Sequence, residues 1–119
     1  MSSRDDASAL DMLIAARRIL QFVGDMDFEQ LMADDLTRDA VLWELAVLGG
    51  AAKRISQGYR EAHPEIEWRS ISGTRDRITH GYDTIDYDIV WAVIKTHVPS
   101  LAETLERILP EPPDGDDEA

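Results

Sequence analysis

A chain of 119 residues with 44% hydrophobic residues holds enough apolar material for one domain's core, and that composition argues against a disordered body. It has no cysteine, so disulfides, thiolate zinc sites and cysteine nucleophiles are excluded, which suits a reducing compartment. Its net charge of -12 argues against a tight, non-specific nucleic-acid binder, since such a protein must replace the phosphates' counterions; a local cationic site, or one assembled by dimerisation, remains open.

The chain begins Met1-Ser2-Ser3-Arg4-Asp5-Asp6, without the basic start and apolar run of a signal peptide. No apolar stretch approaches the roughly 20 residues a membrane helix needs. A cytoplasmic location and no membrane partner are therefore expected.

From Asp5 to about Val23, apolar residues recur at three and four (Leu10, Leu13, Ile14, Ala16, Ile19, Leu20, Val23), predicting an amphipathic helix stopped by Gly24. A short helical turn is predicted around Phe28 to Met32. Asp34, Asp35 and Thr37 offer caps for a second long helix, whose stripe runs through Val41, Leu45, Leu48, Ala52 and Ile55 and whose end is expected near Gly58 to Ala62. His63-Pro64 marks a break.

A third main helix is predicted from about Trp68 to His80, ended by Gly81. Asp86 can cap the next, which carries Ile89, Val90, Val93 and Ile94, and Val98-Pro99 kinks or restarts it before Leu101 and Leu105. No strand is predicted. The expected fold is all-α, an antiparallel bundle of four to five helices over residues 1–110. Residues 111–119 form an acidic tail with prolines, expected to be disordered.

The helix from Trp68 is the unusual one. Apolar or aromatic residues fall at 68, 71, 78 and 82, and the missing member of the series, position 75, is arginine. A guanidinium within an apolar stripe is costly unless it is paired or borders a polar cleft. Tyr82 would share a face with Arg75 two turns on, whereas His80 would sit about 140° around an ideal helix. Spacing alone leaves a structural account open. Asp76, Glu44 or Asp86 could pair with Arg75, His80 could complement a helix dipole, and Tyr82 could simply pack its ring.

Arg75-Asp-Arg-Ile-Thr-His80-Gly-Tyr82 resembles the R-x4-H-x-Y signature of the HepT-like branch of the HEPN superfamily. His63-Pro64-Glu-Ile-Glu-Trp68-Arg69, Thr37-Arg-Asp-Ala-Val and Val90-Trp91 followed by Val98-Pro99-Ser-Leu101 are similar too, so the likeness spans roughly residues 6 to 109. There is one departure: family members often read Ile-Gly-Glu-Ala where this chain reads Leu48-Gly49-Gly50-Ala51, so Gly50 replaces an acidic residue. The paired glycines weaken a helix but allow close approach, as at a dimer contact.

The resemblance implies a HEPN-like helical bundle acting as a two-fold homodimer and a metal-independent RNA endonuclease. The 2′-hydroxyl would attack phosphorus, leaving a 2′,3′-cyclic phosphate and a 5′-hydroxyl. His80 would transfer protons and Arg75 would hold the phosphate, with Arg69 and Arg77 as possible RNA contacts from both chains of the interface cleft. The stretch from Arg69 to His80 has three arginines against one aspartate, a basic segment in an acidic chain. A nucleotidyltransferase antitoxin would adenylylate Tyr82, making the protein the toxin of a pair.

No cofactor or metal is expected, since His63, His80 and His97 show no ligand spacing. Trp43, Trp68 and Trp91 are read as core or interface residues. Two alternatives stand: a non-catalytic dimeric module that docks a nucleotidyltransferase, favoured by the acidity and Gly50, and a plain structural bundle with Arg75 buried against a carboxylate.

Overall fold

The computed structural model describes residues 3–80 and 84–110, with the side chains of all of these except Ser3, Thr79 and His80. The first helix, α1 (Ser3–Val23), ends where predicted, at Gly24, whose φ of +51° is the left-handed conformation that glycine adopts without a Cβ penalty. A short α2 (Phe28–Ala33) follows, closed at its start by a reciprocal capping box between Asp27 and Gln30. Helix α3 (Asp35–Lys53) is capped by Asp34, whose carboxylate accepts from the Thr37 N–H at 3.0 Å.

Three contacts show that α1 and α3 run antiparallel. Asp5 accepts from Ser56, Asp11 pairs with Arg54, and Arg18 pairs with Glu44, so partners fall in number from just past the end of α3 back into it as they rise along α1. The two helices pack on one another, and Met12, Ala16 and Ile19 of α1 and Leu45, Leu48 and Ala52 of α3 are all buried. The inward face of α1 keeps Leu13, Ala16, Ile19 and Val23 of the expected stripe and adds Ala9, Met12 and Ala15, while Leu10 and Ile14 are 46% and 45% exposed.

Helix α3 stops at Lys53 rather than near Gly58. Ser56 turns its N–H and hydroxyl to the Asp5 carboxylate at 2.9 and 2.6 Å, and a separate α4 (Gln57–Ala62) starts from it. Arg60 of α4 then donates to the Ala52 carbonyl at 2.9 Å, satisfying a backbone acceptor at the end of α3. The predicted break at His63-Pro64 is present, and the His63 carbonyl accepts from the Trp68 indole N–H at 3.0 Å.

The next segments are α5 (Trp68–Ser72) and α6 (Thr74–Ile78), then strands β1 (Thr79–His80) and β2 (Thr84–Ile85), antiparallel with Thr79 opposite Ile85 and His80 opposite Thr84. The last rod is α7 (Tyr87–Ala92), a π turn over Val93–His97 and α8 (Val98–Ile108), with Asp86 capping its start through the Ile89 N–H. The kink expected at Val98-Pro99 is this π turn. Pro99 has no N–H and its ring crowds the carbonyl four residues back, so the chain widens one turn ahead of it, and the Val98 N–H reaches the Val93 carbonyl.

The architecture is all-α as expected, but the described residues divide into more helical segments than the four to five predicted. The predicted second and third helices are each split in two, and two-residue strands appear that no periodicity announced. The proposed acidic tail, residues 111–119, lies outside the described residues.

Candidate active-site segment

The predicted helix from Trp68 to His80 is broken at Gly73. Its N–H goes to the Arg69 carbonyl at 3.0 Å, and a Cβ there would stand 3.2 Å from that same oxygen, so the turn favours glycine. The break shifts the inward face. Trp68, Thr74 and Ile78 are buried, with Ile71 partly so, and Thr74 takes the inward place that the apolar series assigned to Arg75. The Thr74 hydroxyl remains satisfied by donating to the Ser70 carbonyl at 2.9 Å.

Arg75 is therefore exposed on α6, as are Asp76 and Arg77. The plain-bundle reading expected Arg75 to be buried, and the side chain is exposed instead. Glu44, offered as a partner for Arg75, is instead held by Arg18 at 2.9 Å with its own side chain 8% exposed. Helix α6 ends at Ile78, so the helical angle reckoned between Arg75 and His80 does not apply: His80 lies in β1, on extended backbone. Tyr82 and Gly81 lie outside the described residues.

The segment after α6 is tied back at its base. The Asp86 N–H donates to the Ile78 carbonyl at 2.8 Å, just beyond the His80–Thr84 and Thr79–Ile85 pairs. Helix α6 also packs on α3 and α7, through buried Thr74 and Ile78. The motif thus begins on an exposed helical turn and continues onto a strand pair whose root is anchored in the core.

The other two candidate arginines face different spaces. Arg69 is exposed at a shallow surface beside Arg60, Glu61 and Trp68. Arg77 lines a groove of about 290 Å³ between α5–α6 and the π turn, and its guanidinium donates to the Ser70 carbonyl at 3.3 Å. Sequence reading missed the far wall of that groove, formed by Thr96, His97, Ser100 and Thr104. The only signal was Pro99 inside a helical pattern.

Gly49 and Gly50 play unequal parts. A Cβ on Gly49 would lie 3.5 Å from the Ile71 carbonyl, so the close approach expected of the glycine pair is made to α5 of the same chain. A Cβ on Gly50 would meet nothing within 4 Å. Trp68 is core and Trp91 half-buried, but Trp43 is 67% exposed beside Ile14, which removes it from the core. Among the described residues, no three His, Asp or Glu side chains gather as a metal-ion cage, and no helix is long and apolar enough to cross a membrane.

The family model described as ribonuclease HepT-like matches residues 12–108. The chain belongs to this family, within the HEPN superfamily. A Methanocaldococcus jannaschii protein named as a candidate RNase is 32% identical over 109 residues, covering 91% of this chain and 100% of its own. A Thermococcus cleftensis protein named a probable ribonuclease HepT is 33% identical over 98 residues, covering 82% and 89%. Another named as a candidate RNase, from Caldanaerobacter subterraneus subsp. tengcongensis, is 30% identical over 91 residues, covering 76% and 81%. No solved structure matches the chain significantly. The matched span of this HepT-like chain includes α5, α6 and both strands, so the Arg75–Tyr82 motif lies within family territory.

Proposed function

We propose that this chain is a metal-independent RNA endonuclease, the toxin of a toxin–antitoxin pair. The observation that carries this reading is the exposure of Arg75 on α6, followed within the same family-matched segment by His80 on an anchored strand. An exposed arginine can meet a phosphate with its planar fork and stabilise charge as it develops. An imidazole can move protons near neutral pH.

In the proposed reaction the 2′-oxygen bonds to phosphorus while the bond from phosphorus to the 5′-oxygen breaks. One imidazole takes the 2′-hydroxyl proton, and a second imidazole protonates the leaving oxygen. The products are a 2′,3′-cyclic phosphate and a 5′-hydroxyl. A single histidine is badly placed to serve both sides of phosphorus, so a homodimer supplies the second copy of His80. Arg69 and Arg77 are proposed as flanking RNA contacts; because they face different grooves, they would touch different nucleotides.

The same reading gives Tyr82 as the target of a nucleotidyltransferase antitoxin. An added AMP would bring negative charge and bulk into the motif and repel RNA. The test is cleavage of mixed RNAs in EDTA by unmodified wild type, Arg75→Ala and His80→Ala, with end-group analysis and the mass of the Tyr82 peptide. Cleavage abolished in both variants, with cyclic-phosphate ends, supports the reading. An unmodified dimer that cuts nothing would instead favour the docking module.

A further inference from the structure

The groove beside Arg77 is accounted for neither by the core nor by the motif. Its inner surface is apolar, with Leu48, Ile71, Val93 and Leu101, and its edges carry hydroxyls from Ser70, Thr96, Ser100 and Thr104. At about 290 Å³ it lies near the lower end of small-ligand pockets, roughly 300 Å³ and upward. An apolar slot edged by groups that both donate and accept fits a flat ligand whose faces are apolar and whose rim makes hydrogen bonds.

Charge narrows the ligand class further. Glu65 and Glu67 line the groove, and Arg107 approaches Glu65 only to 3.9 Å. Two carboxylates repel a phosphate but accept well from an exocyclic amino group, as acidic side chains do from cytosine. On α6, Arg77 places one N–H on the Ser70 carbonyl and carries further donors for a ring nitrogen or base carbonyl. Arg75 and Arg77 stand two residues apart on α6, about 200° around the helix axis. A strand crossing α6 with one phosphate at Arg75 would carry an adjacent nucleotide to the Arg77 side.

We infer that the groove between α5–α6 and the π turn is a base-binding subsite for single-stranded RNA, selecting an unstacked amino-bearing base next to the cut. Single-stranded RNA is read by splaying a base into such a pocket and bonding its edges. The π turn is the structural device: it swells the last rod at Val93–His97, where Thr96 and His97 line the groove. The inference rests on the RNA-cleaving reading, and its test separates the two.

Binding is measured first, by NMR, titrating cytidine and uridine into full-length wild type and Ser100→Trp; Ser100 is exposed, so the indole fills the groove from its rim. Cytidine should shift the amides of Thr96, Ser100 and Thr104 in wild type, uridine should bind about tenfold more weakly, and both responses should vanish in Ser100→Trp. In parallel, RNAs differing only at the base flanking the cut should show the same preference in kcat/KM, lost in Ser100→Trp and turned toward uracil in Glu67→Lys. Wild type that binds cytidine in the groove yet cuts no RNA would overturn the nuclease reading and uphold the base site. Unchanged cleavage and base preference in Ser100→Trp, or no nucleoside response at these amides, would overturn the subsite.

Discussion

The backbone N–H of Asp86 donates to the carbonyl of Ile78 at 2.8 Å, closing the chain at the root of the strands that follow α6. Asp86 also caps α7, its carboxylate accepting from the Ile89 N–H at 3.2 Å. One residue therefore fixes both the return of the motif segment and the start of the last rod. Asp86→Ala should cost about 1 kcal/mol from the lost cap, read as a lower urea midpoint. Alanine keeps the backbone N–H that bonds to Ile78, so RNA cleavage should stay close to wild type at temperatures where the variant is fully folded. A clear fall in kcat/KM there would show that the Asp86 carboxylate itself helps to position the motif.

Arg75→Ala is the sharpest separation of structure from chemistry. The side chain is exposed, so the change should move stability by about 1 kcal/mol at most, the upper range for an exposed charged contact. RNA cleavage should fall by about 10²–10³-fold, the usual effect of removing one charge-stabilising donor. Thermal unfolding and cleavage on one preparation check both halves. A large stability loss would return Arg75 to a structural role.

Arg18 and Glu44 make the opposite case. Glu44 is 8% exposed and Arg18 53%, with 2.9 Å between them across α1 and α3. Arg18→Ala leaves a buried carboxylate without this partner, and Glu44→Gln removes the charge along with the attraction. The first should cost roughly 1–2 kcal/mol, below the figure for a fully buried pair because solvent already screens Arg18. Glu44→Gln should cost less, and chemical denaturation of both variants measures the order. The reverse order would mean that Glu44 is stabilised chiefly by something other than Arg18.

Acid should destabilise the fold through two identified carboxyls. The Ser56 hydroxyl, then its N–H, hold the Asp5 carboxyl below its ordinary value, and the Thr37 N–H and hydroxyl do the same for Asp34. Their contribution is complete above the unfolded carboxyl value, about pH 3.9, and disappears as pH falls through the lower folded values. Ser56→Ala should therefore differ from wild type most at pH 7 and least near pH 2, keeping a constant residue from the lost α4 cap. Urea midpoints across that range test it. Burial raises the Tyr59 hydroxyl, so its contribution runs the other way, complete below about pH 10 and lost as pH rises through the folded value.

Gly50→Ala should stabilise α3 by about 0.4–1 kcal/mol, because the new methyl meets nothing within 4 Å and the unfolded chain loses freedom. Gly50→Glu, which restores the family's acidic residue, should also fold. A thermal shift on each variant decides, and a loss of stability would mean that α3 needs a bare surface at this position.

Local chemistry determined a large part of this protein. Gly24, the Asp34 and Asp86 caps and the His63-Pro64 break mark their boundaries by interactions spanning a few residues, so sequence periodicity and capping rules find them. The Arg75–Tyr82 motif and the HepT-like family were legible for a related reason: residue types at fixed spacing are a one-dimensional signal. The inward face of α1 was not, because Leu10 and Ile14 fit an apolar stripe as well as Met12 does, and only the packing of α3 and α8 selects among them.

Tertiary contacts decided the remaining features. The end of α3 depends on Asp5 reaching Ser56 across 51 residues of chain, and on Arg60 returning to Ala52. The end of α6 depends on Asp86 meeting Ile78, which turns the backbone at His80 from helix to strand. The groove beside Arg77 exists because the π turn faces α5 and α6, elements separated from it by two strands and α7. Such pairings draw their free energy from groups distant in sequence, and a helical period records which residues are apolar but not which surface each will meet.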